Sequence, residues 1–170
     1  MNIPLKHCTV RSYRVDDAAS LAKYANNRNI WKNLRDGFPH PYSIENAKAF
    51  IQKAVSAEPE TMYAICVDDA AVGGIGFTLH SDIERLSAEI GYWLGDFFWG
   101  RGIVTEALKA VTRHAARTHS LSRIYAVPFE SNPASHRVLE KAGYQFEGRM
   151  RKSAIKDGKI VDQFLYAYIL

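Results

Sequence analysis

Hydrophobic and polar residues follow two different periods along this chain, and these periods divide it into strands and helices. Apolar residues that alternate with polar ones, or that form short continuous runs, predict strands at residues 8–13, 62–67, 71–79, 87–94, 123–127, 144–149 and 162–169. Apolar residues three or four positions apart predict helices at residues 16–26, 44–57 and 132–142, and a long helix that starts near Ile103. Residues 26–42 fit neither period and are predicted to be irregular.

The order of these elements favours a mixed sheet with helices on its faces. The strand at residues 87–94, the long helix and the strand at residues 123–127 form a crossover unit, which predicts that the two strands are parallel. Glycines at positions 73, 74 and 76 predict a bulge or a close approach of another backbone within the strand at residues 71–79. No repeat or linker divides the sequence, so we expect a single domain over residues 1–170.

Composition and charge narrow the class of protein. The chain has 170 residues, of which 47% are hydrophobic and 24% charged, as is typical of a globular protein with one core. The N-terminus lacks the pattern of a secretory signal and no apolar stretch is long enough to span a bilayer, so we expect a cytoplasmic protein without a membrane partner. The net charge of +4 suits an anionic ligand, but the absence of a run of five or six basic residues argues against nucleic acid.

The cysteines and histidines do not predict a metal site. Cys8 and Cys66 lie far apart in the sequence and fit no metal-ligand spacing, and the six histidines are scattered. We expect two reduced thiols, with Cys66 packed in the core, and no bound metal.

The connection between the strand at residues 87–94 and the long helix has the sequence GDFFWGRGIVTEAL. The first turn of a helix presents N–H groups without internal partners, together with partial positive charge, and therefore binds phosphates. Gly100 and Gly102 leave this backbone accessible, Arg101 adds a positive charge, and Thr105 adds a hydroxyl. The pattern predicts a pyrophosphate site. The alternative is a tight connection that needs glycine only for its dihedral angles.

Two stretches, AEIGYWLGDFFWGRGIVTEAL and NPASHRVLEKAGYQFEG, resemble the GNAT superfamily of acetyl-CoA-dependent N-acetyltransferases, and more narrowly its RimJ/RimL-like branch. The resemblance covers nearly the whole chain. It implies an α+β fold of three layers with about four helices. In that fold the central sheet is mixed and mostly antiparallel, and it would splay apart between the two parallel strands. The resemblance also implies an acyltransferase that uses acetyl-CoA without a metal.

The resemblance implies that acetyl-CoA lies between the strands at residues 87–94 and 123–127, where they splay apart. The pantetheine arm would pair with the backbone near Trp93 and Leu94, and the Leu94 N–H would stabilise the developing oxyanion. The pyrophosphate would lie on the amides of the glycine connection. Asn132 would bind a pantetheine amide, although the same side chain can simply cap its helix. The complete coenzyme-binding set is Trp93, Leu94, Trp99, Gly100, Arg101, Gly102, Ile103, Val104, Thr105 and Asn132.

Two residues are candidates for proton transfer. Glu89 is the candidate general base, because a carboxylate on this strand can take a proton from the amine directly or through water. Ser135, three residues after Asn132, is the candidate acid for the departing thiolate, since the position where many superfamily members have tyrosine is Leu139. Ala154 occupies the position where RimL-like enzymes carry a further glutamate. The alternatives are an ion-paired Glu89 on the surface and a helix-surface Ser135 hydroxyl.

The acceptor is the least constrained part of the prediction. Trp31, Phe38 and Tyr42 in the irregular segment are expected to line its pocket, or else to pack under a loop. The acceptor is a primary amine, either a protein N-terminus or a small molecule, and transfer is expected by direct attack in a ternary complex. A non-catalytic acyl-CoA-binding module on the same fold is the alternative. The chain is expected to be a monomer or a homodimer.

Overall fold

The computed structural model describes all residues from 1 to 170. The strands are β1 (Asn2–Pro4), β2 (Thr9–Ser12), β3 (Met62–Val67), β4 (Ala70–Leu79), β5 (Ser87–Leu94), β6 (Arg123–Ala126), β7 (Gln145–Lys156) and β8 (Lys159–Ile169). The helices are α1 (Ala18–Ala25), α2 (Arg28–Trp31), α3 (Ile44–Val55), α4 (Ile103–His119) and α5 (Pro133–Ala142). The strand order is β1-β2-β3-β4-β5-β6-β8-β7. None of the helices is long and apolar enough to cross a bilayer.

The chain divides into two compact units, each built from two stretches of sequence. The first unit comprises Met1–Gly76 and Tyr92–Ala107, and the second comprises Phe77–Gly91 and Leu108–Leu170. Strands β4 and β5 and helix α4 each contribute residues to both units. The expectation that residues 1–170 form a single domain stays a prediction.

The first unit is an antiparallel meander covered by helices. β1 pairs with β2, β2 with β3, and β3 with β4, all antiparallel. α1 and α3 bury apolar faces in a core that includes Leu21, Ile51 and Cys66, each at most 2% exposed. α3 begins at Ser43, whose hydroxyl accepts the Asn46 N–H while the Asn46 side chain accepts the Ser43 N–H. The predicted burial of Cys66 in the core is confirmed.

The second unit contains the parallel pair. β5 pairs with β6 through Ser87, Ala88 and Glu89 opposite Arg123, Ile124 and Tyr125, which confirms the predicted parallel pairing. This register ends at Glu89, whereas β5 continues to Leu94. β6 and β7 each pair antiparallel with β8. The fold is therefore the predicted mixed, mostly antiparallel sheet with one parallel pair, and β5 continues beyond the residues that pair with β6.

Four elements differ from the sequence-based prediction: β1 and α2 were not predicted, and β7 and β8 are longer than predicted. β1 has three residues and α2 has four, too few to show a pattern. β7 and β8 extend beyond the predicted strands because much of β7 is solvent-exposed and carries no alternation. Their hairpin closes through Asp157 and Gly158, both with positive φ, which is an Asp-Gly turn signal in the sequence.

The start of α1 also differs from the prediction. Asp16 does not cap the helix, because Val15–Asp17 form a 3-10 turn before it. The Asp17 carboxylate accepts the Arg14 N–H at 2.7 Å and pairs with the buried Arg11 guanidinium.

Candidate active site

The glycine connection after β5 adopts a backbone that glycine alone accommodates easily. Gly100 and Gly102 have φ of +76° and +78°, a region in which side chains are strained. A Cβ built on either glycine meets no atom within 4 Å, so open space lies beside this backbone. These dihedral angles are sufficient to explain the two glycines, which is the alternative to a pyrophosphate site. The open space leaves room for a ligand against the same backbone.

Helix α4 starts directly after these glycines. Its first internal hydrogen bond joins the Glu106 N–H to the Gly102 carbonyl oxygen at 3.1 Å. The N–H groups of Ile103, Val104 and Thr105 therefore precede the internal ladder of the helix and have no acceptor within it. With 17 residues, α4 has a full macrodipole whose positive end lies at this turn. The turn can bind an anion.

Arg101 keeps its positive charge next to the glycine connection. Its guanidinium donates to the Phe97 carbonyl oxygen at 3.0 Å and lies over the Phe97 and Phe98 rings, 4.9 and 5.5 Å from their centroids. Stacking on aromatic faces holds this solvent-exposed side chain in place. The charge is therefore held against the 3-10 turn Asp96–Phe98, which precedes the glycines.

Trp99 joins the glycine connection to the end of β5. The indole Nε1–H donates to the Leu94 carbonyl oxygen at 2.8 Å, and the Gly95 N–H donates to the Val72 carbonyl oxygen at 2.8 Å. Sequence analysis placed Trp99 only among the coenzyme-binding residues. Its hydrogen bond gives it a structural role as well, since the bond sets where the chain leaves the strand.

Glycines in β4 allow the end of β5 to approach closely, as the sequence predicted. A Cβ on Gly73 would lie 2.5 Å from the Trp93 carbonyl oxygen and 3.1 Å from the Leu94 Cα. A Cβ on Gly74 would lie 2.8 Å from the Trp93 indole nitrogen and 2.5 Å from the Tyr13 hydroxyl oxygen. Side chains at these two positions would therefore displace Trp93 and Leu94.

Sequence analysis did not predict the contacts that His7 and Cys8 make with the first turn of α4. His7 donates its backbone N–H to Glu106 Oε2 at 3.1 Å, and its Nδ1 lies 2.6 Å from Glu106 Oε1. The Cys8 thiol contacts the Ile103 carbonyl oxygen at 3.9 Å. Although desolvation opposes it, hydrogen bonding to His7 lowers the pKa of Glu106 below its usual value. No local pattern could reveal residues 99 positions apart in the chain.

Two of the three predicted acceptor-pocket residues lie together with Trp93. The Phe38 ring is 4.8 Å from Tyr42 and 5.5 Å from Trp93, centroid to centroid. Tyr42 is buried, and burial raises the pKa of its hydroxyl to about 12. Trp31 contacts His40 and lies under the Arg28 guanidinium. Packing accounts for Tyr42, whereas Phe38 and Trp93 remain partly exposed.

The second unit contains the candidate proton-transfer residues and Asn132. The Asn132 side chain accepts the Ser135 N–H at 3.2 Å and so caps α5, with Pro133 in the first turn. Ser135 is partly buried in that turn. Glu89 lies at the last position of β5 that pairs with β6, opposite Tyr125, and is also partly buried. The other coenzyme-binding and acceptor candidates belong to the first unit.

The histidine, cysteine and acidic side chains elsewhere in the chain do not suggest a metal site or a reactive thiol. No group of three or more histidine, cysteine, aspartate or glutamate side chains could hold a metal ion. Both cysteines are buried free thiols, and burial raises the pKa of each to about 11. Glu147, from which the position of Ala154 is counted in the comparison with RimL-like enzymes, forms an ion pair with Arg123.

Known proteins with similar sequences are acetyltransferases. The sequence model described as acetyltransferase (GNAT) domain matches residues 7–145. The chain is 30% identical over 166 residues to the [ribosomal protein uS5]-alanine N-acetyltransferase of Escherichia coli, covering 93% of this chain and 85% of that protein. It is 32% identical over 109 residues to the ribosomal-protein-serine acetyltransferase of the same organism, covering 64% of this chain and 60% of that protein.

Solved structures share this fold over the full length of the chain. A RimL ribosomal L7/L12 α-N-protein acetyltransferase in complex with coenzyme A superposes with a TM-score of 0.88 and 25% identity, covering 100% of this chain and 98% of that one. The microcin C7 self-immunity acetyltransferase MccE, in complex with acetyl-CoA and AMP, superposes with a TM-score of 0.85 at 23% identity, covering 98% and 94%. This chain belongs to the GNAT family of acetyltransferases, which are acyltransferases that use acetyl-CoA.

Proposed function

We propose that this protein transfers the acetyl group of acetyl-CoA to the α-amine of a protein N-terminus. The observation that carries the proposal is the start of α4, where open space lies beside two left-handed glycines and a turn of unpaired amides. The acceptor class rests on the relatives, two of which are named for acetylating ribosomal proteins.

The coenzyme is assigned to the end of β5 and the start of α4. The amides from Gly100 to Thr105, with the charge of Arg101, would bind the pyrophosphate. The backbone near Trp93 and Leu94 would pair with the pantetheine arm, beyond Glu89, the last residue of β5 in register with β6. Asn132 would bind a pantetheine amide in addition to capping α5. The fit rests on accessible glycine backbone, since a side chain at either left-handed position would occupy the space beside it.

The transfer needs one nucleophile and two proton movements. The neutral amine nitrogen attacks the thioester carbonyl carbon, the carbon–sulfur bond breaks, and its electron pair leaves with sulfur as the thiolate. Glu89 would accept the proton that the nitrogen loses, and Ser135 would supply or orient the proton for the thiolate. The Leu94 N–H would donate to the oxygen on which negative charge develops. The products are an N-acetyl amide and coenzyme A.

Direct attack is favoured over an acyl-enzyme because the cysteines are unsuited to nucleophilic catalysis. The thiolate is the nucleophilic form of cysteine, and burial raises the pKa of both Cys8 and Cys66 to about 11. Each thiol is therefore almost entirely protonated near neutral pH. A ternary complex of acetyl-CoA and acceptor requires only that the two substrates be held in line.

The test is acetylation of peptides whose N-terminal residue is serine or alanine, followed by mass spectrometry and by release of the coenzyme thiol. We expect acetylation of the α-amine, and none of the same peptides with a blocked N-terminus. Ser135→Ala should lower turnover while leaving the dissociation constant of coenzyme A unchanged. Coenzyme binding without transfer to any amine would contradict the catalytic proposal. Preference for spermine over every peptide would contradict the proposed acceptor.

A further inference from the structure

Residues 27–42, here called the basic segment, carry an excess of positive charge. Arg28, Lys32 and Arg35 are all solvent-exposed, and Asp36 is the only acidic residue among these sixteen. Three cations and one acid give a formal charge of +2, half of the net charge of +4 of the whole chain. The charges are interrupted by neutral residues, so they form no run of basic sequence, but they share one short stretch of surface.

Contacts within the first unit fix the basic segment against the end of β5. The Phe38 ring packs edge-to-face on the Trp93 ring, with centroids 5.5 Å apart. The Asn27 side-chain amide donates to Asp96 Oδ2 at 2.5 Å, directly after the strand. The segment therefore adjoins Trp93 and Asp96, on either side of Leu94, whose backbone the proposed function assigns to the pantetheine arm and the oxyanion.

Arg28 and Lys32 lie in and directly after the short helix α2. Asn27 caps α2 by accepting the Asn29 N–H at 2.8 Å, and the Arg28 guanidinium lies 5.2 Å from the centroid of the Trp31 ring. Arg28 and Lys32 are four residues apart across one helical turn, and this spacing brings their side chains to the same side. Counted together with Asp96, which Asn27 contacts, the segment holds three cations and two acids, so its formal charge remains positive.

We propose that the acceptor is an N-terminal peptide with acidic side chains shortly after its first residue, and that the basic segment binds these side chains. The inference rests on the proposed function, because it takes the end of β5 as the place where the acceptor amine meets the thioester. A polyamine is disfavoured, since its positive charges are repelled by the same surface. An acidic peptide gains attraction to Arg28, Lys32 and Arg35 as its amine reaches the strand end.

The experiment compares three peptides that share one N-terminal serine and differ only at positions three to six, which hold glutamate, glutamine or lysine. Binding is measured by fluorescence anisotropy with coenzyme A present, so that the result does not depend on turnover. Acetylation is measured in parallel with acetyl-CoA. We expect the acidic peptide to bind about tenfold more tightly than the neutral one, as two or three exposed ion pairs allow. High salt should remove the difference.

The variant that tests the segment combines Arg28→Gln, Lys32→Gln and Arg35→Gln. The matched control combines Lys53→Gln, Lys109→Gln and Lys159→Gln, which removes the same charge from other exposed positions. The first variant should lose the preference for the acidic peptide through a higher KM, with kcat for the neutral peptide unchanged. The control should keep the preference.

Three results would overturn the inference. The three peptides could bind equally well to the unaltered protein. The variant could raise the KM of acetyl-CoA and not that of the peptide, which would mean that the segment binds the phosphates of the coenzyme. The segment could instead bind a single-stranded RNA oligonucleotide without preferring acidic peptides. Failure of the proposed function is a separate outcome, because it would appear as absent acetylation whatever the binding preference.

Discussion

Gly73→Ala in β4 is expected to displace the end of β5, where the coenzyme is proposed to bind. The new Cβ would lie 2.5 Å from the Trp93 carbonyl oxygen and 3.0 Å from Leu94 Cδ1. Non-bonded heavy atoms prefer a separation of about 3.5 Å, so the end of β5 must move by roughly 1 Å. Overpacking of this kind costs about 1–3 kcal/mol of folding free energy. A displacement of roughly 1 Å at a reacting centre can lower kcat/KM by about 10²-fold.

The matched control for this prediction is Gly91→Ala, in β5 itself. A Cβ at Gly91 meets no atom within 4 Å, and its φ is outside the left-handed region. Both variants restrict the unfolded chain equally, so their difference isolates the displacement of Trp93 and Leu94.

Urea denaturation measures the difference in stability, and calorimetric titration with coenzyme A measures the difference in affinity. We expect Gly73→Ala to unfold at lower urea and bind coenzyme A more weakly, whereas Gly91→Ala should unfold at the same or slightly higher urea and bind coenzyme A like the unaltered protein. If the two variants behave alike, close packing of β4 on β5 does not determine the position of the coenzyme.

Three further predictions concern the candidate base, the buried ion pair and the thiols. Glu89→Gln should lower kcat by roughly 10²-fold with unchanged coenzyme affinity, since it removes a general base; steady-state kinetics with an unaltered kcat would exclude that role. Arg11→Met should lower the free energy of unfolding by about 3–5 kcal/mol, measured in urea, because it leaves the buried Asp17 carboxylate unpaired; an unchanged midpoint would contradict this. Cys8 and Cys66 should react with a thiol reagent only after unfolding. Burial raises the pKa of both thiols from 9.0 to about 11, so the unfolded chain loses these protons at a lower pH than the native protein does. The contribution of the buried thiols to the free energy of unfolding is therefore complete below pH 9.0 and is lost as the pH rises towards about 11. Thiol titration of the native protein and unfolding midpoints across this range test both statements, and a rapid native reaction would refute them.

The elements around the proposed coenzyme site could be predicted because each has a local cause. α4 combines a helical period with glycines before its first turn, and α5 lies between the Asn132 cap and Gly143, which ends the helix at a φ of +95°. The parallel pairing of β5 with β6 follows from the length of the crossover between them. In each case, residues close in sequence determine the structure.

The remaining features depend on residues that are distant in sequence. The contact between His7 and Glu106 joins the turn after β1 to the first turn of α4, and neither position is distinctive in its own segment. The contacts of Trp31 with His40 and of Phe38 with Tyr42 likewise depend on how an irregular segment packs, because side-chain type alone does not determine the path of a loop. The packing of the proposed acceptor residues is therefore harder to predict than the start of α4.

The most direct test of the central claim is an NMR titration that follows the backbone amides at the start of α4. If these amides bind the pyrophosphate, coenzyme A should shift the amide resonances of Gly100, Gly102 and Thr105. Pantetheine, which lacks the pyrophosphate, should leave these resonances in place while shifting those of Trp93 and Leu94. If coenzyme A binds without moving the amides from Gly100 to Thr105, the glycine connection does not bind the pyrophosphate and the account is contradicted.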